Sequence, residues 1–384
     1  MLSHLTIHHV YQAIKWDVEG IKGGYHQQQP ELQLPTLHAD SPSVKPRLPR
    51  PTCMNKEESK PYLQIQAIDK HRLFFKREDR YFKSEYYSVR KLGQCLFGAV
   101  HLAIKRSSGL EVVYKIIEKG YVPFYTLESS PPPECHSTEI PALYGKYAGA
   151  GCMSPRPQNL LLPLEIEMQK YLSHPGYENS YVPRVIDYVV TEKAYILVME
   201  YSGEDWVALD KYMTKHGKFS VDKARLIIKE VVTALIFLKK LGVLHGDIAE
   251  KNILYNDKTG GVKLIDFGSS ELLEGWNQGS STQTEYSSTA SESSGGKPKV
   301  ILEEIRDIKN VGYLLYRLLT LGKKFKNSSI PQEEFAKELR NSLDNPESQR
   351  TINAADLIAS LLKYYLSQVD FIEDMLEHPF FTSQ

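Results

Sequence analysis

Short apolar runs alternate with polar residues after Tyr86, and Gly and Ser turns separate these runs. The segments YYSVRKL, AVHLAI and EVVYKII are rich in β-branched and aromatic residues, which predicts neighbouring strands of a small antiparallel sheet. A compact amphipathic helix is predicted in LEIEMQKYLSH, and two further strand-like runs follow in YVPRVIDYVVT and AYILVMEYS. This part of the chain is therefore predicted to be a small sheet accompanied by one helix.

After Gly203 the spacing of apolar residues becomes helical. Ser220 is a suitable N-cap, and apolar residues recur on one helical face between Ala224 and Leu238. The same periodicity resumes in IRDIKNVGYLLYRLLTLG and in DLIASLLKYYL. The chain is thus predicted to be of the α+β class, with a sheet-rich part followed by a larger helical part.

Three segments interrupt these patterns. Residues 26–61 are rich in Pro and polar residues, so we expect residues 1–85 to form a largely flexible N-terminal extension. Residues 118–162 contain PPPECH and GAGCMSPRPQ and are predicted to be a surface insertion, while residues 278–296 have almost no apolar content and are predicted to be a mobile loop. In the extension, KPRLPRP has the composition of a ligand for an SH3-type partner, although a solvated linker is the simpler explanation.

Composition adds few constraints. Lys+Arg and Asp+Glu are equal at 47 each, so net charge favours neither a nucleic-acid nor a membrane partner. The four cysteines lack CxxC spacing, which fits neither a disulfide framework nor a complete zinc site. With no signal-peptide or membrane-span pattern, we expect an intracellular protein, in the cytoplasm or the nucleus.

Candidate chemistry is concentrated in VLHGDIAEKNILYNDKTGGVKLIDFG, residues 243–268. Asn252 and Asp266 are oxygen donors suited to Mg²⁺, which takes few protein ligands beside phosphate oxygens and water. Asp247, in the same loop as Asn252, is suited to orient and deprotonate an acceptor hydroxyl. Such a set serves phosphoryl transfer, although turn formation explains any one of these residues equally well.

Earlier residues extend this set. Gly93 and Gly98 flank a turn between two predicted strands, where bare backbone is able to approach phosphates, and a simple hairpin is the alternative. Lys115 lies in the next strand, and Glu165 is a candidate partner for its ammonium group. Glu167 is predicted to point away from the helix face that carries Glu165. For each acid taken alone, a solvated surface position remains the alternative.

From about Tyr86 to Phe381, the order and wording of these motifs resemble the eukaryotic protein-kinase family, most closely Pim-type and calcium/calmodulin-kinase-group enzymes. The resemblance implies a bilobal fold with a small antiparallel sheet lobe, one regulatory helix and a larger helical lobe. It implies ATP, Mg²⁺ and a protein substrate as ligands. The implied small lobe spans residues 86–202, and the large lobe spans 203–384 with an activation segment at 269–300.

The resemblance also implies residue roles. The catalytic residues are Asp247, Lys115 and Glu165, and the metal ligands are Asn252 and Asp266. The nucleotide is expected to contact Gly93, Gly98, Val100, Val113, Lys115, Met199, Glu200, Ser202 and Leu254, with Glu204 or Asp205 near the ribose. Asp307 resembles the aspartate that braces the catalytic loop.

Three departures from the family pattern bear on regulation, substrate docking and the acceptor. Gly246 replaces an arginine that receives a phosphate on the activation segment, which implies activity of the non-RD type, not gated in that way. No A-P-E motif lies between Asp266 and Asp307, and Val369 replaces the arginine that pairs with its glutamate. Ala249 replaces the lysine of serine/threonine kinases, whereas Lys251 lies near the position of a cation in tyrosine kinases.

Three functions are consistent with this sequence. The first is an active protein kinase acting on serine or threonine. The second is a small-molecule phosphotransferase, because HGD followed by Asn and Asp also resembles aminoglycoside and choline kinases. The third is a scaffold that binds nucleotide without catalysing transfer.

Overall fold

The computed structural model describes residues 50–66, 69–95, 98–130, 156–174, 176–177, 179–273, 299–322, 331–362 and 371–383. The helices are α1 (Lys56–Gln66), α2 (Asp69–Glu85), α3 (Leu164–Leu172), α4 (Leu209–His216), α5 (Val221–Lys240), α6 (Lys299–Thr320), α7 (Gln332–Ser342), α8 (Gln349–Leu362) and α9 (Pro379–Thr382). The strands are β1 (Tyr86–Cys95), β2 (Gly98–Lys105), β3 (Glu111–Glu118), β4 (Tyr125–Leu127), β5 (Leu161–Pro163), β6 (Val185–Val190), β7 (Ala194–Glu200), β8 (Trp206–Ala208), β9 (Val243–Leu244), β10 (Ile253–Asn256), β11 (Val262–Leu264) and β12 (Glu271–Leu272).

The predicted antiparallel sheet is confirmed. Five strands pair in the order β1-β2-β3-β7-β6, and β6 is buried along its whole length. The register places Val100 opposite Lys115 and Val113 opposite Met199. Because alternate residues of a strand share a face, these four side chains lie on one face of the sheet. This face also carries the Lys115 contact with α3.

The helical lobe is built around α5. Ser220 caps this helix by accepting a hydrogen bond from the Lys223 N–H, and its predicted apolar face is buried. The face packs on α6, α8 and the β10-β11 hairpin, in one apolar cluster that also includes Phe267 and Phe380. The predicted α+β arrangement of a small sheet lobe and a larger helical lobe is confirmed.

The expectation of a largely flexible extension is wrong for residues 56–85, which form α1 and α2. Asn55 caps α1 by accepting hydrogen bonds from the N–H groups of Glu57 and Glu58. In α2, Phe74 and Phe75 are each 4% exposed and pack in the small-lobe core with Ile166 of α3. The apolar stripe of α2 is narrow and lies among charged residues, which concealed its burial in the sequence pattern.

The predicted insertion at 118–162 is also partly framework. Strands β4 and β5, near its two ends, pair with each other, and Met54 bridges to Tyr125. Several predicted segments lie outside the described residues. They are the Pro-rich leader through residue 49, residues 131–155 of the predicted insertion, and residues 274–298, which hold most of the expected activation segment.

Within the described parts, no helix combines the length and apolar character needed to cross a membrane.

Candidate active site

Lys115 is the centre of a buried ionic cluster. Its Nζ lies 2.6 Å from Glu165 Oε1 and 2.8 Å from Asp266 Oδ1. Lys115 is 4% exposed and Glu165 is 6% exposed, so the three charges interact with little solvent screening. The structure therefore brings together three predicted site residues from β3, α3 and the segment after β11.

The titration of this cluster follows from burial and charge. Burial tends to raise the pKa of Asp266, but the Lys115 ammonium outweighs it and holds that pKa below the ordinary value. Burial raises the pKa of Glu165 despite its contact with Lys115. Burial also opposes the charge on Lys115, yet the two carboxylates hold the Lys115 pKa above its ordinary value. Lys115 and Asp266 are thus charged at neutral pH.

Helix α3 positions Glu165 because it is enclosed on all sides. All nine of its residues are buried. Glu167, predicted to point away, is instead 2% exposed, and it pairs with Lys170 at 2.6 Å while accepting a hydrogen bond from the Ser129 hydroxyl. The helix period placed Glu167 correctly on a different face, but that face is covered by Ser129 and Ser130.

The catalytic loop is held by hydrogen bonds to its backbone. Asp307 of α6 accepts the N–H groups of His245 and Gly246, each at 2.8 Å. The His245 ring is buried and contacts the Ile265 carbonyl oxygen at 3.2 Å. Burial lowers the pKa of His245, opposed by Asp307. A neutral His245 therefore links the catalytic loop to the residue that precedes Asp266.

Asp247 and Asn252 form a direct pair. The Asn252 amide nitrogen donates to the Asp247 carbonyl oxygen and to Asp247 Oδ2, each at 2.9 Å. This arrangement leaves the Asn252 amide oxygen as a metal donor. The Ile265 N–H donates to the Asn252 carbonyl oxygen at 3.0 Å, which places Asp266 beside Asn252. Asp266 itself has a left-handed backbone, with φ of 68°.

These donors fit Mg²⁺ with a nucleotide phosphate, because this ion is usually bound by one or two protein oxygens and completes its octahedron with phosphate and water. In the described ranges, no group of three or more His, Cys, Asp or Glu side chains is arranged as a metal cage. A further sign of fit is the hydroxyl of Ser202, which is buried and has no hydrogen-bond partner among the described residues. Ser202 follows β7, where the nucleotide was expected to contact the chain.

The remaining predicted nucleotide residues lie in the sheet lobe, except Leu254. Gly93 and Gly98 lie in the paired ends of β1 and β2. A Cβ on Gly98 would lie 2.0 Å from the Ile116 carbonyl oxygen, so only glycine fits, whereas a Cβ on Gly93 would meet no atom of the described residues within 4 Å. Leu254 lies on β10 in the helical lobe and pairs with Ala208.

Three carboxylates near β7 and β8 already have cationic partners. Glu200 Oε1 lies 2.8 Å from Lys263 Nζ. Glu204 pairs with Arg90 at 2.8 Å, and Asp205 pairs with Lys258 at 2.8 Å. At the positions expected to lie near the ribose, Glu204 therefore forms an ion pair between the two lobes, and Asp205 forms a surface ion pair within the large lobe.

A groove of about 500 Å³ opens beside Asp247. The catalytic loop forms one wall, and Asn310, Tyr313 and Arg317 of α6 form another. Arg317 pairs with Glu250. Arg306 and Arg317 were not among the candidate residues predicted from the motifs, although the spacing of residues 306, 310, 313 and 317 places them on one face of a helix.

Comparison with known proteins supports the resemblance to protein kinases that the sequence motifs indicated. The family model described as "Protein kinase domain" matches residues 157–381. Sucrose non-fermenting protein kinase 1 of Fusarium virguliforme is 26% identical, covering 78% of this chain and 36% of that protein. Calcium-dependent protein kinase 4 of Plasmodium berghei is 26% identical, covering 80% and 51%. The chain thus spans from about a third to about half of the length of these two relatives.

Serine/threonine-protein kinase pim-2 of Danio rerio is 25% identical, covering 79% of this chain and 87% of that protein. A crystal structure of Rad53 1-466 in complex with AMP-PNP shares 20% identity and covers 78% of this chain and 66% of that one, with a TM-score of 0.46. The resemblance inferred from the motifs is confirmed by the family match over more than half of the sequence. The chain belongs to the protein kinase domain family.

Proposed function

We propose that this protein kinase is an active, non-RD enzyme that transfers the γ-phosphate of Mg-ATP to a serine or threonine hydroxyl of a protein substrate. The observation that carries the proposal is the cluster of Lys115, Glu165 and Asp266 beside the Asp247–Asn252 pair. Buried charges without a ligand are costly, and replacing such clusters by apolar residues is often neutral or stabilising. Their retention in one place therefore favours a catalytic role.

Each residue has a part in the transfer. The Lys115 ammonium, held by Glu165, binds phosphate oxygens in a region of low dielectric. Asp266 and the Asn252 amide oxygen would hold Mg²⁺, which would supply positive charge to neutralise the phosphate oxygens. Among the described partners of Asp247, both Asn252 and Lys251 contact Oδ2, at 2.9 Å and 3.1 Å. Oδ1 is then the atom that accepts the proton of the substrate hydroxyl.

Lys251 supplies a cation beside the reacting groups. Its side chain is 62% exposed and borders the groove next to Asp247. In this position it offsets negative charge as the phosphoryl group reaches the acceptor. It thereby compensates for the absence of a lysine at position 249. The name of the pim-2 relative, a serine/threonine-protein kinase, supports the choice of acceptor.

Replacement of Asp247 by Asn tests this function. Loss of the accepting carboxylate is expected to reduce transfer of radiolabelled phosphate from ATP to a generic protein substrate by about 100-fold or more. Asp344→Asn is the matched control, because Asp344 forms an exposed ion pair with Lys218 at 2.6 Å, away from the groove. Its activity should equal that of the wild type.

The other functions give different results in this assay. Mg-ATP binding without transfer to any acceptor would indicate a scaffold and overturn the proposal. Transfer to aminoglycosides or choline, but to no protein, would indicate a small-molecule phosphotransferase.

A further inference from the structure

Gly246 is in close contact with an arginine from another element. Its φ is +78°, and a Cβ added there would lie 2.0 Å from Arg306 Nη2 and 2.2 Å from the Ser269 carbonyl oxygen. Both the backbone conformation and the available space therefore require glycine. The position where the family has an arginine side chain is bordered here by the guanidinium of Arg306.

Arg306 binds the segment that follows the metal-binding residue. Its Nη2 donates to the Ser269 carbonyl oxygen at 2.9 Å, and its Nη1 lies 2.7 Å from Glu271 Oε1. Ser269 ends the short helical turn that begins directly after Asp266. Glu271 belongs to β12 and pairs with Leu244 of β9, immediately before the catalytic loop. One guanidinium thus contacts two points of this segment.

The neighbouring residue on α6 binds the catalytic loop. Asp307 accepts the N–H groups of His245 and Gly246, and Asn310 approaches the Gly246 carbonyl oxygen at 3.5 Å. Adjacent residues of one helix therefore hold the loop that carries Asp247 and the segment that follows Asp266. Since α6 is anchored in the core through Ile308 and Val311, it is a rigid support for both.

We propose that Arg306 is a positioning residue for phosphoryl transfer, with Glu271 as its permanent anionic partner. This inference rests on the proposed kinase function. Arg306 holds residues 269–272 against the catalytic loop, and it does so without a phosphate on the activation segment. The carboxylate of Glu271 already provides the anion that a phosphorylated residue provides in other switches of this type.

The exposure of the Arg306–Glu271 pair allows a positioning role to be distinguished from a contribution to global stability. The side chains of Arg306 and Glu271 are 45% and 56% exposed, and such pairs contribute little to global stability. Loss of Arg306 is therefore expected to leave the unfolding transition nearly unchanged. Its effect should appear in the geometry of the segment next to Asp266.

Arg306→Met tests the inference through kinetics. The turnover number kcat should fall by about 10- to 100-fold, because small misplacements of reacting groups have effects of this size. The KM for ATP should change by less than about twofold, since the variant keeps the groups that bind the ground state. Arg306→Lys should recover part of kcat, because an ammonium reaches only one of the two acceptors. Phosphatase treatment of the wild type should leave kcat unchanged.

Arg350→Met is the matched control. Arg350 pairs with Asp222 at 2.6 Å, with both side chains 51% exposed, and it lies on α8 away from the groove. The control removes an arginine from an equally exposed ion pair. Its kcat should match that of the wild type.

Hydrogen exchange provides a readout independent of activity. In full-length Arg306→Met with Mg-ATP, the peptide spanning 269–273 should exchange faster than in the wild type and in Arg350→Met. An unchanged exchange rate, an unchanged kcat or inactivation of the wild type by phosphatase would each overturn the inference. If the wild type transfers no phosphate, the proposed function fails, and the exchange comparison alone decides whether Arg306 positions this segment.

Discussion

Lys115 lies between two carboxylates, and this arrangement determines how the site responds to its loss. Glu165 is buried, and burial already raises its pKa. The pKa of Asp266 is low because the Lys115 ammonium opposes the effect of burial. If the ammonium is removed, Glu165 is therefore the group that takes up a proton, so the variant avoids retaining two buried negative charges.

Lys115→Met is expected to lower phosphate transfer by about 100-fold or more, because phosphate charge loses its buried counterion. The variant should remain folded at pH 6, and its stability should decrease toward pH 8 relative to the wild type. The sign follows because the folded-state pKa of Glu165 rises, so the folded variant holds a proton that is lost as the pH increases.

The measurements are the radiolabel assay together with urea unfolding at both pH values. Lys218→Met serves as the control, because it removes the lysine of an exposed ion pair. A Lys115→Met variant that is globally unfolded at pH 6 would contradict this account.

Among the helices, α5 and α6 are joined by a buried ion pair that no local sequence pattern indicates. Lys239 Nζ of α5 lies 2.9 Å from Glu304 Oε1, and the Glu304 side chain is fully buried. Glu304 also accepts the N–H of Ile372 at 3.1 Å, while Lys239 pairs with Glu373 at 2.6 Å. Although the family's A-P-E glutamate and its arginine are both absent, this cluster links α5 and α6 to the segment before the final helix.

Lys239→Met should reduce the free energy of unfolding by about 3 kcal/mol, because it leaves the Glu304 carboxylate buried without a cation. Adding Glu304→Gln should recover much of this loss, since the amide oxygen still accepts the Ile372 N–H and no buried charge remains. Urea denaturation of the two single variants and the double variant measures the coupling. Additive losses in the double variant would argue against a coupled pair.

Across the whole small lobe, a second buried network joins segments that are distant in sequence. Arg156 lies 2.9 Å from Glu128 and 3.5 Å from Glu78 of α2, and Tyr188 of β6 donates its hydroxyl to Glu128 at 2.7 Å. Burial raises the pKa of Glu78 to about 7, opposed by Arg156 and assisted by Asp187. The network ties α2 to the sheet and, through the contact of Lys170 with the Tyr188 hydroxyl, to the covered face of α3.

Glu78 makes the stability of the molecule dependent on pH. Its pKa in the folded state lies above the ordinary value of 4.5, so the folded protein binds more protons between pH 4.5 and about 7. The free energy of unfolding should therefore fall across this range, by up to about 3 kcal/mol from this one group. Glu78→Gln should remove that contribution and flatten the decrease.

The comparison is urea unfolding at pH 5 and pH 7.5 for the wild type, Glu78→Gln and the control Glu57→Gln. Glu57 forms an exposed pair with Lys60 on α1, so its replacement should preserve the wild-type pH dependence. Equal pH dependence in all three proteins would rule out Glu78 as the source.

The strands, α5 and the main site residues follow from local sequence patterns. A strand or helix face shows its period within a few residues, and the spacing of Asp247, Asn252 and Asp266 lies within one short stretch. By contrast, the helical residues of the N-terminal extension bury only a narrow apolar stripe, and the acid Glu78 lies among its buried positions. Composition therefore predicted flexibility where packing produces order.

The sequence alone was sufficient for the fold class and the kinase motifs, because each depends on residue type and short-range spacing. The pairing of Lys115 with Glu165, which lie 50 residues apart, followed only from the resemblance of the motif order to the kinase family. Only the folded chain shows that Glu167 is buried, that Lys239 meets Glu304, and that Arg306 lies against Gly246. Those contacts join residues far apart along the chain. Which charges end up together in a low-dielectric interior depends on how the elements pack, and periodicity within any one element carries no information about that packing.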